Sequence, residues 1–396
     1  MKHKIAIVLD AWDYSFNGTA VSTKRFIQQL EKQGYEFVIL ATGKEMPGKV
    51  RFREFGVPGL KWILHKMKSP LALADKALLR EALKDVDLLH VQYPFLLGSA
   101  AITVAKELGI PVVCSFHVQP ENVTKNLKLN TEASISFLYR VFIKYFYSRA
   151  DVVICPSPFA ENMLKEQGLK TETRVISNGV PEEFLIPPRA EDFIPRKPFN
   201  LLSVGRLASE KHQDLIMKAV SQSKFIDQIN MTFVGTGPAE GRLRRFAEKT
   251  LTCPYRISEV SDEELKRLYN SADLFIHAGE IELEGMSVLE AMANSIPTIV
   301  SDSKDSAAKD FAVTENSLFN FPHVDDLTRK IDYWLANPKA RAEVALQNHQ
   351  KACRYTHKYS CRALENIYRE QLKLAVHEDF SDLVYEPEAE CISAKS

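Results

Sequence analysis

The chain has little of what marks several classes of protein. No run approaches the ~20 consecutive apolar residues that a helix needs to cross a membrane. The first residues, MKHKIAIVLD, favour a strand over the apolar core of a secretory signal, so we expect neither export nor a membrane anchor. Lys and Arg number 51 and so do Asp and Glu, which leaves no net charge to indicate a broad nucleic-acid surface.

Metal and redox motifs are also missing. The sequence has 6 cysteines, but no pair has the spacing of a metal or redox site, and several lie in apolar, strand-like runs. The triplet Asp85, Val86 and Asp87 superficially matches an acidic metal motif, but it precedes a predicted strand, so we interpret it as a boundary. We therefore expect a cytoplasmic protein that uses no metal and no other cofactor.

What is present is a regular alternation of strand-like and helical segments. The predicted strands lie at residues 5–10, 36–42, 87–94, 111–117, 151–157 and 173–179, and then at 200–206, 231–237, 254–260, 274–280, 297–303 and 317–321. Such alternation predicts an α/β protein in which helices cover both faces of parallel sheets. With 396 residues, of which 45% are hydrophobic, the chain is long enough for two packed domains.

A stretch with four prolines and mixed charge, EEFLIPPRAEDFIPRKPF, separates the two series of strands and predicts a linker. We expect a first Rossmann-like domain at 1–185, the linker at 186–199, a second Rossmann-like domain at 200–355, a helix at 356–375 that packs back on the first domain, and a disordered acidic tail at 376–396. The two halves are expected to face each other across a cleft, with ligands beyond the carboxyl ends of the strands.

The most informative segment is DLFIHAGEIELEGMSVLEAMA, in which a predicted strand runs through an acidic loop into a helix. Gly285 ends the loop, and the N–H groups of Met286 and Ser287 at the helix start can bind an anion. Glu282 and Glu290 flank that position, which suits a phosphate compound that also carries hydroxyl groups. The alternative is an ordinary strand-to-helix turn with solvated acids.

Two further loops repeat this logic. In LLSVGRLASEKHQDLI a strand ends before Arg206, and Lys211 precedes an amphipathic helix, so the two cations are suited to a diphosphate. The alternative is a solvated pair of surface cations. In MTFVGTGPAEGRL a strand is followed by Gly235 and Gly237, but the third glycine of a dinucleotide fingerprint is missing.

Together these three segments resemble the retaining glycosyltransferases of family 4, which have the two-domain GT-B fold and a signature of two Glu separated by seven residues. The resemblance implies that Glu282 contacts hydroxyls of the donor sugar, that Glu290 holds the ribose, and that Arg206 and Lys211 bind the donor diphosphate. The resemblance covers nearly the whole chain and is strongest in its second half. Glu284 stands where the family usually has a small or aromatic residue.

The resemblance also implies a reaction. It is the transfer of a hexose from a nucleotide-diphosphate sugar, with a UDP-sugar expected, to a hydroxyl acceptor such as a membrane glycolipid or a cell-envelope glycan. Anomeric configuration is retained, and the departing diphosphate helps to deprotonate the acceptor, so no protein nucleophile is required.

The first half contributes further candidates. Gly18 and Thr19 lie between the first strand and the first helix, where the backbone can approach a donor closely. Asp10 matches an acidic family position near the acceptor; the alternative is a strand-end Asp that caps its own loop. His117 matches a family histidine near the reaction centre; the alternative is a hydrogen-bonded structural residue.

Two basic segments with interleaved aromatic residues, 49–68 and 136–150, indicate a possible surface for anionic lipid, which would make the protein peripheral on the inner face of the membrane. Family members that glycosylate diacylglycerol are similar in this respect. The alternative is that the aromatic residues pack in the core while the cations face water.

Three other functions compete with the transferase. A catalytically silent GT-B partner subunit need not keep the four site residues, and a nucleotide-sugar epimerase would share the fold and the diphosphate site. An NAD-dependent oxidoreductase would need a complete glycine fingerprint in the first strand–helix turn, and DAWDYSFNGT lacks it.

Overall fold

The computed structural model describes residues 3–14, 17–56, 70–126, 129, 131–189 and 197–377. Within these residues the chain forms two compact units. The first unit runs to Asn178 and resumes at Tyr359, and the second runs from Gly179 to Lys358.

Strands and helices alternate as the sequence predicts. The strands are β1 Lys4–Val8, β2 Glu36–Ala41, β3 Lys49–Arg51, β4 Leu88–Val91, β5 Val112–Ser115, β6 Val152–Cys155, β7 Thr173–Val175, β8 Phe199–Val204, β9 Ile229–Val234, β10 Tyr255–Ser258, β11 Leu274–His277, β12 Thr298–Ser301 and β13 Leu318–Phe319. The helices are α1 Gly18–Lys32, α2 Lys76–Leu83, α3 Leu96–Glu107, α4 Pro120–Asn126, α5 Glu132–Tyr145, α6 Pro158–Glu166, α7 Gln213–Ser221, α8 Glu240–Thr250, α9 Asp262–Ser271, α10 Met286–Ala293, α11 Val324–Ala336, α12 Pro338–Ala352 and α13 His357–Gln371.

The first unit is built on a parallel sheet of seven strands in the order β3-β2-β1-β4-β5-β6-β7. Strands β4, β5 and β6 are buried along their whole length, because helices cover both faces of such a sheet. Helix α1 begins after Asn17, whose side chain accepts a hydrogen bond from the Ala20 N–H at 3.2 Å.

The second unit is a parallel sheet of six strands in the order β10-β9-β8-β11-β12-β13. At its carboxyl edge, the loops after β8 and β9 pack backbone against backbone. A Cβ on Gly235 would lie 2.0 Å from the Gly205 carbonyl oxygen, and one on Gly237 would lie 2.3 Å from that of Leu207. These glycines therefore permit close approach of two loops, which explains why they need not complete a dinucleotide fingerprint.

The units do not divide where the proline-rich segment predicts. Residues 179–186 already belong to the second unit: Val180 and Phe184 lie in its core, and the Ile186 N–H donates to the Ala293 carbonyl at 2.9 Å. Of the predicted linker, residues 190–196 lie outside the described residues, as do residues 378–396 of the predicted tail.

Helix α13 packs its apolar face on the first unit. Leu364, Ile367 and Tyr368 are buried in the same hydrophobic cluster as β1 and α1. Strand β3 was not predicted, because it lies inside the segment that the sequence indicated as a basic amphipathic surface.

Candidate functional site

Glu282 lies in the loop after β11, and the loop backbone holds it in place. Its N–H donates to the Asp305 carbonyl at 3.2 Å, and its carbonyl accepts from the Ala307 N–H at 2.9 Å. The carboxylate is thereby fixed at the carboxyl end of the sheet, where parallel α/β folds bind their ligands.

Two basic side chains contact this carboxylate. Lys211 Nζ hydrogen-bonds Glu282 Oε1, and His277 Nε2 lies 2.9 Å from the same oxygen. The side chains of Glu282 and Lys211 are only 15% and 18% exposed. Burial by itself raises the pKa of Glu282, but the charge of Lys211 and the contact with His277 outweigh it and lower that pKa to about 2. Glu282 is therefore ionised near neutral pH, and its two contacts restrict its movement.

Arg206 is held by a second buried carboxylate. Its guanidinium hydrogen-bonds Glu210, while its backbone carbonyl accepts from Gln213 Nε2 at 2.9 Å. Burial raises the pKa of Glu210, but the charges of Arg206 and Lys211 lower it below its ordinary value. Sequence reasoning missed Glu210, although its i,i+4 spacing from Arg206 was visible.

The loop that carries the cations and the loop that carries Glu282 are joined directly. The Glu280 N–H donates to the Glu210 carbonyl at 2.8 Å, and Glu280 Oε2 lies 2.7 Å from His212 Nε2. The structure thus brings Arg206, Lys211 and Glu282 together in one cluster of alternating charges.

Helix α10 begins beside this cluster, at the predicted position. Gly285 has a φ of 103°, in the left-handed region, and a Cβ there would lie 2.9 Å from the Ala308 Cβ, so only glycine fits. Helix geometry leaves the N–H groups of Met286 and Ser287 without an acceptor inside the helix. Glu290 is buried one turn further on and accepts a hydrogen bond from the Tyr269 hydroxyl at 3.1 Å.

His117 follows β5 in the first unit and borders an internal cavity that His90, Gln92 and Asn178 also line. Burial lowers the pKa of His117 to about 4, so its imidazole is neutral near pH 7 and can donate one hydrogen bond and accept another.

Gly18 and Thr19 form the first turn of α1, behind the Asn17 cap. The Asn17 side-chain oxygen also accepts from the Tyr93 hydroxyl at 2.9 Å, which fixes the start of the helix. The N–H groups of Gly18 and Thr19, in the first turn of α1, have no acceptor inside the helix, and their role in donor binding stays a prediction.

Asp10 has a different environment from that of a strand-end cap. Its Oδ1 accepts from the backbone N–H of Ala72 at 2.7 Å, and within the described part of the chain its buried Oδ2 has no hydrogen-bond partner. Burial raises the pKa of Asp10 to about 6. Asp10 therefore anchors the distant segment that contains Ala72, and its role as an acceptor contact stays a prediction.

Asp10→Asn should stabilise the protein at neutral pH. Because the folded-state pKa is raised from 3.8 to about 6, the group favours folding most below pH 3.8, and that contribution is lost as pH rises through 6. Asparagine keeps an acceptor for Ala72 without the charge, so the free energy of unfolding should rise by about 1 to 3 kcal/mol at pH 7.5 and hardly at all at pH 4.

Denaturant melts at both pH values measure this, with Asp13→Asn as the matched control. Burial raises the pKa of Asp13, but its hydrogen bonds to Lys49 and Lys44 outweigh burial and lower that pKa, so its replacement should destabilise the protein. If Asp10→Asn were destabilising at pH 7.5, the carboxylate would have a partner that compensates its charge.

The two predicted lipid-facing segments differ in structure. In the first, the Lys49 side chain is buried against Asp13 at 2.9 Å and Phe52 is buried, while residues 57–68 lie outside the described residues. In the second, Phe137 and Tyr145 on α5 are 61% and 54% exposed. None of the helices in the described ranges is long and apolar enough to cross a membrane.

Comparison with known proteins decides the family. Residues 16–184 match the family model described as Glycosyltransferase Family 4, and residues 188–351 match the one described as Glycosyl transferases group 1. The chain belongs to glycosyltransferase family 4. This glycosyltransferase therefore uses a sugar-nucleotide donor.

Two relatives of this glycosyltransferase are named for different substrates or products. It is 27% identical over 311 residues to the alpha-monoglucosyldiacylglycerol synthase of Streptococcus pneumoniae, covering 75% of this chain and 70% of that protein. It is 25% identical over 309 residues to a GDP-mannose-dependent alpha-mannosyltransferase of Corynebacterium glutamicum, covering 75% of this chain and 71% of that protein.

Solved structures show the same fold. HepE of Anabaena, determined in complex with UDP-glucose, superposes with a TM-score of 0.72 over 93% of this chain and 99% of that one, at 14% identity. The predicted GT-B fold, with two Rossmann-like parallel-sheet domains, is therefore confirmed.

Proposed function

We propose that this enzyme transfers a hexose from a UDP-sugar, with retention of configuration, to a hydroxyl group of a membrane glycolipid at the cytoplasmic face of the membrane. The observation that carries the donor half is the cluster in which Arg206 and Lys211 are held by the buried carboxylates Glu210 and Glu282 at the start of α10. Such preorganised cations and helix N–H groups suit a diphosphate.

The chemistry follows from where charge develops. The bond between the anomeric carbon and the diphosphate oxygen breaks, the acceptor oxygen bonds to that carbon on the same face, and the acceptor proton passes to a phosphate oxygen. Arg206, Lys211 and the N–H groups of Met286 and Ser287 stabilise the departing diphosphate. No step needs a metal or a protein nucleophile.

The remaining site residues are proposed to bind and orient the donor and the acceptor. Glu282, an anion held on two sides, is suited to accept hydrogen bonds from hexose hydroxyls, and Glu290 to accept them from the ribose. His117 is neutral at working pH, so it is proposed to hydrogen-bond a sugar hydroxyl and not to supply a positive charge. Asp10 remains the proposed acceptor contact.

A donor panel tests the proposal. UDP-glucose, UDP-galactose and GDP-mannose would be compared for thermal stabilisation and for slow release of free sugar in the absence of acceptor. Stabilisation and hydrolysis confined to a UDP-sugar support the proposal, and preference for GDP-mannose overturns the donor assignment. Stabilisation without turnover in any mixture indicates a silent subunit, and interconversion of the two UDP-hexoses indicates an epimerase.

Helix α5 supports the second part of the proposal, that the acceptor is a membrane lipid. Phe137, Val141 and Tyr145 share one side of the helix with Arg140 and Lys144, by the spacing of three to four residues per turn. We call this set the α5 face. Lys144 Nζ also lies 5.2 Å above the Tyr145 ring. Exposed aromatic residues beside cations are suited to an anionic bilayer surface, and the relative from S. pneumoniae is named as a synthase of monoglucosyldiacylglycerol.

Arg140→Gln combined with Lys144→Gln should weaken co-sedimentation with vesicles of anionic phospholipid by about 2 kcal/mol, because each cation contributes about 1 kcal/mol near such a surface. Phe137→Ser should weaken it further. The double substitution of the exposed Lys32 and Lys170 to Gln is the matched control in the same unit. Binding that is indifferent to salt and to the α5 face would leave a soluble acceptor as the better explanation.

A further inference from the structure

His277, the last residue of β11, is buried and contacts the proposed sugar-binding carboxylate. Its Nε2 lies 2.9 Å from Glu282 Oε1, which is an ion-pair distance, although among the described residues this nitrogen makes no hydrogen bond of acceptable geometry. The contact exists because residue 279 has no side chain: a Cβ on Gly279 would lie 2.4 Å from that nitrogen and 3.0 Å from that oxygen. The loop is therefore shaped around the pair formed by His277 and Glu282.

The second contact of Glu282 is Lys211, and the donor diphosphate would compete with Glu282 for its ammonium group. Lys211 hydrogen-bonds the same oxygen, yet the proposed function also requires Lys211 to bind the donor diphosphate. An ammonium has three donors, and two phosphate groups compete strongly for them. When the donor binds, part of the compensation for the buried carboxylate must come from elsewhere.

The other charged groups of the two loops are already engaged. Glu280 lies 2.7 Å from His212, and Arg206 is paired with Glu210. Among the described residues, Lys211 and His277 are the charged or titratable groups that contact the Glu282 carboxylate.

We infer that His277 is a positioning residue, which holds the Glu282 carboxylate against the donor hexose while Lys211 turns to the diphosphate. The inference rests on the proposed function. His277 acts through Glu282 and does not touch the reacting atoms. In the absence of donor both basic groups hold the carboxylate, and with donor bound the imidazole becomes its main protein partner.

The test compares His277→Leu, which removes the nitrogen, with His277→Gln, which can return an N–H near the position of Nε2. The Leu variant should lose about tenfold or more in kcat with a smaller change in the donor KM, because a misplaced carboxylate costs most in the transition state. The Gln variant should recover most of that loss. Gly279→Ala should reproduce the Leu variant without altering the imidazole, since its Cβ forces the pair apart.

A pH profile separates positioning from a structural role. The contact with His277 helps to lower the pKa of Glu282, so removing the imidazole should raise that pKa. In His277→Leu, activity should therefore begin to fall at a higher pH than in the wild type as the solution is made more acidic. His349→Leu is the control, because His349 is buried in the same unit and its Nδ1 lies 3.1 Å from the Ala293 carbonyl. It should lower stability and leave the profile unchanged.

The outcomes distinguish the inference from the proposed function. Wild-type kinetics and pH profile in His277→Leu and Gly279→Ala, alongside a large defect in Lys211→Ala, would overturn the positioning role and leave the transferase intact. Equal losses in the Leu and Gln variants with an unshifted profile would also overturn it. Absence of donor turnover by the wild-type enzyme would instead remove the proposed function itself.

Discussion

Replacement of Lys211 by alanine is expected to lower kcat/KM for transfer by about a hundredfold or more, the scale of losing a preorganised charge contact in the transition state. The structure adds a second effect. Lys211 is the cation that neutralises the largely buried Glu282, so the variant should also unfold at a lower temperature, because among the described residues it leaves the buried carboxylate with His277 as its one basic contact.

The two effects can be separated. Combining Lys211→Ala with Glu282→Gln removes both charges, which should restore the melting temperature but not the activity. Lys218→Ala, which changes an exposed lysine on the next helix, is the matched control and should alter neither quantity. Recovery of activity in the double variant would show that Lys211 serves the fold and not the diphosphate.

Replacement of Arg206 by alanine is expected to have an effect of similar size, about a hundredfold in kcat/KM. Arg206→Lys should recover little, because a single ammonium cannot supply the planar fork that binds two phosphate oxygens. For Glu210→Gln we expect a kcat/KM between that of Arg206→Ala and that of the wild type. Glutamine keeps an acceptor for the guanidinium but loses the charge that orients it.

Steady-state kinetics with varied donor measure these variants, and Arg242→Ala, an exposed arginine of the same unit, serves as control. The ranking is the informative result. If Arg206→Lys matched the wild type, the guanidinium fork would have no special role, and the cluster would act only through its net charge.

The segments that sequence analysis predicted well are those in which the signal is local. Strand β11, the left-handed Gly285 and helix α10 all appear where an apolar run, a glycine and a helical spacing placed them. Arg206 and Lys211 were predicted to bind the diphosphate partly because they lie just beyond a buried strand, where parallel sheets bind ligands, and the structure places them there.

The residues that were missed depend on contacts between distant parts of the chain. His277 looked like the last residue of an apolar strand, and only the return of the loop brings Glu282 to its ring. Lys49 looked like part of a basic segment that faces anionic lipid, but β3 pairs with β2 and the Lys49 ammonium is buried against the Asp13 carboxylate. Composition could not reveal either partner.

The domain boundary differed for a similar reason. Prolines indicate where a chain is stiff or extended. A domain boundary lies where the side chains stop packing in the core of one unit and begin to pack in the core of the other. Phe184 precedes the first of those prolines and is already buried in the second unit, while Leu364 returns to the first.

The anomeric configuration of the product distinguishes retention from inversion, and proton NMR measures it after transfer from UDP-glucose to a glycolipid acceptor in mixed vesicles. We predict an α-linked product, the configuration of the donor, formed by the wild-type enzyme and almost absent with Lys211→Ala. A β-linked product, or transfer that survives in Lys211→Ala at the wild-type rate, would contradict a retaining transfer driven by this charged cluster.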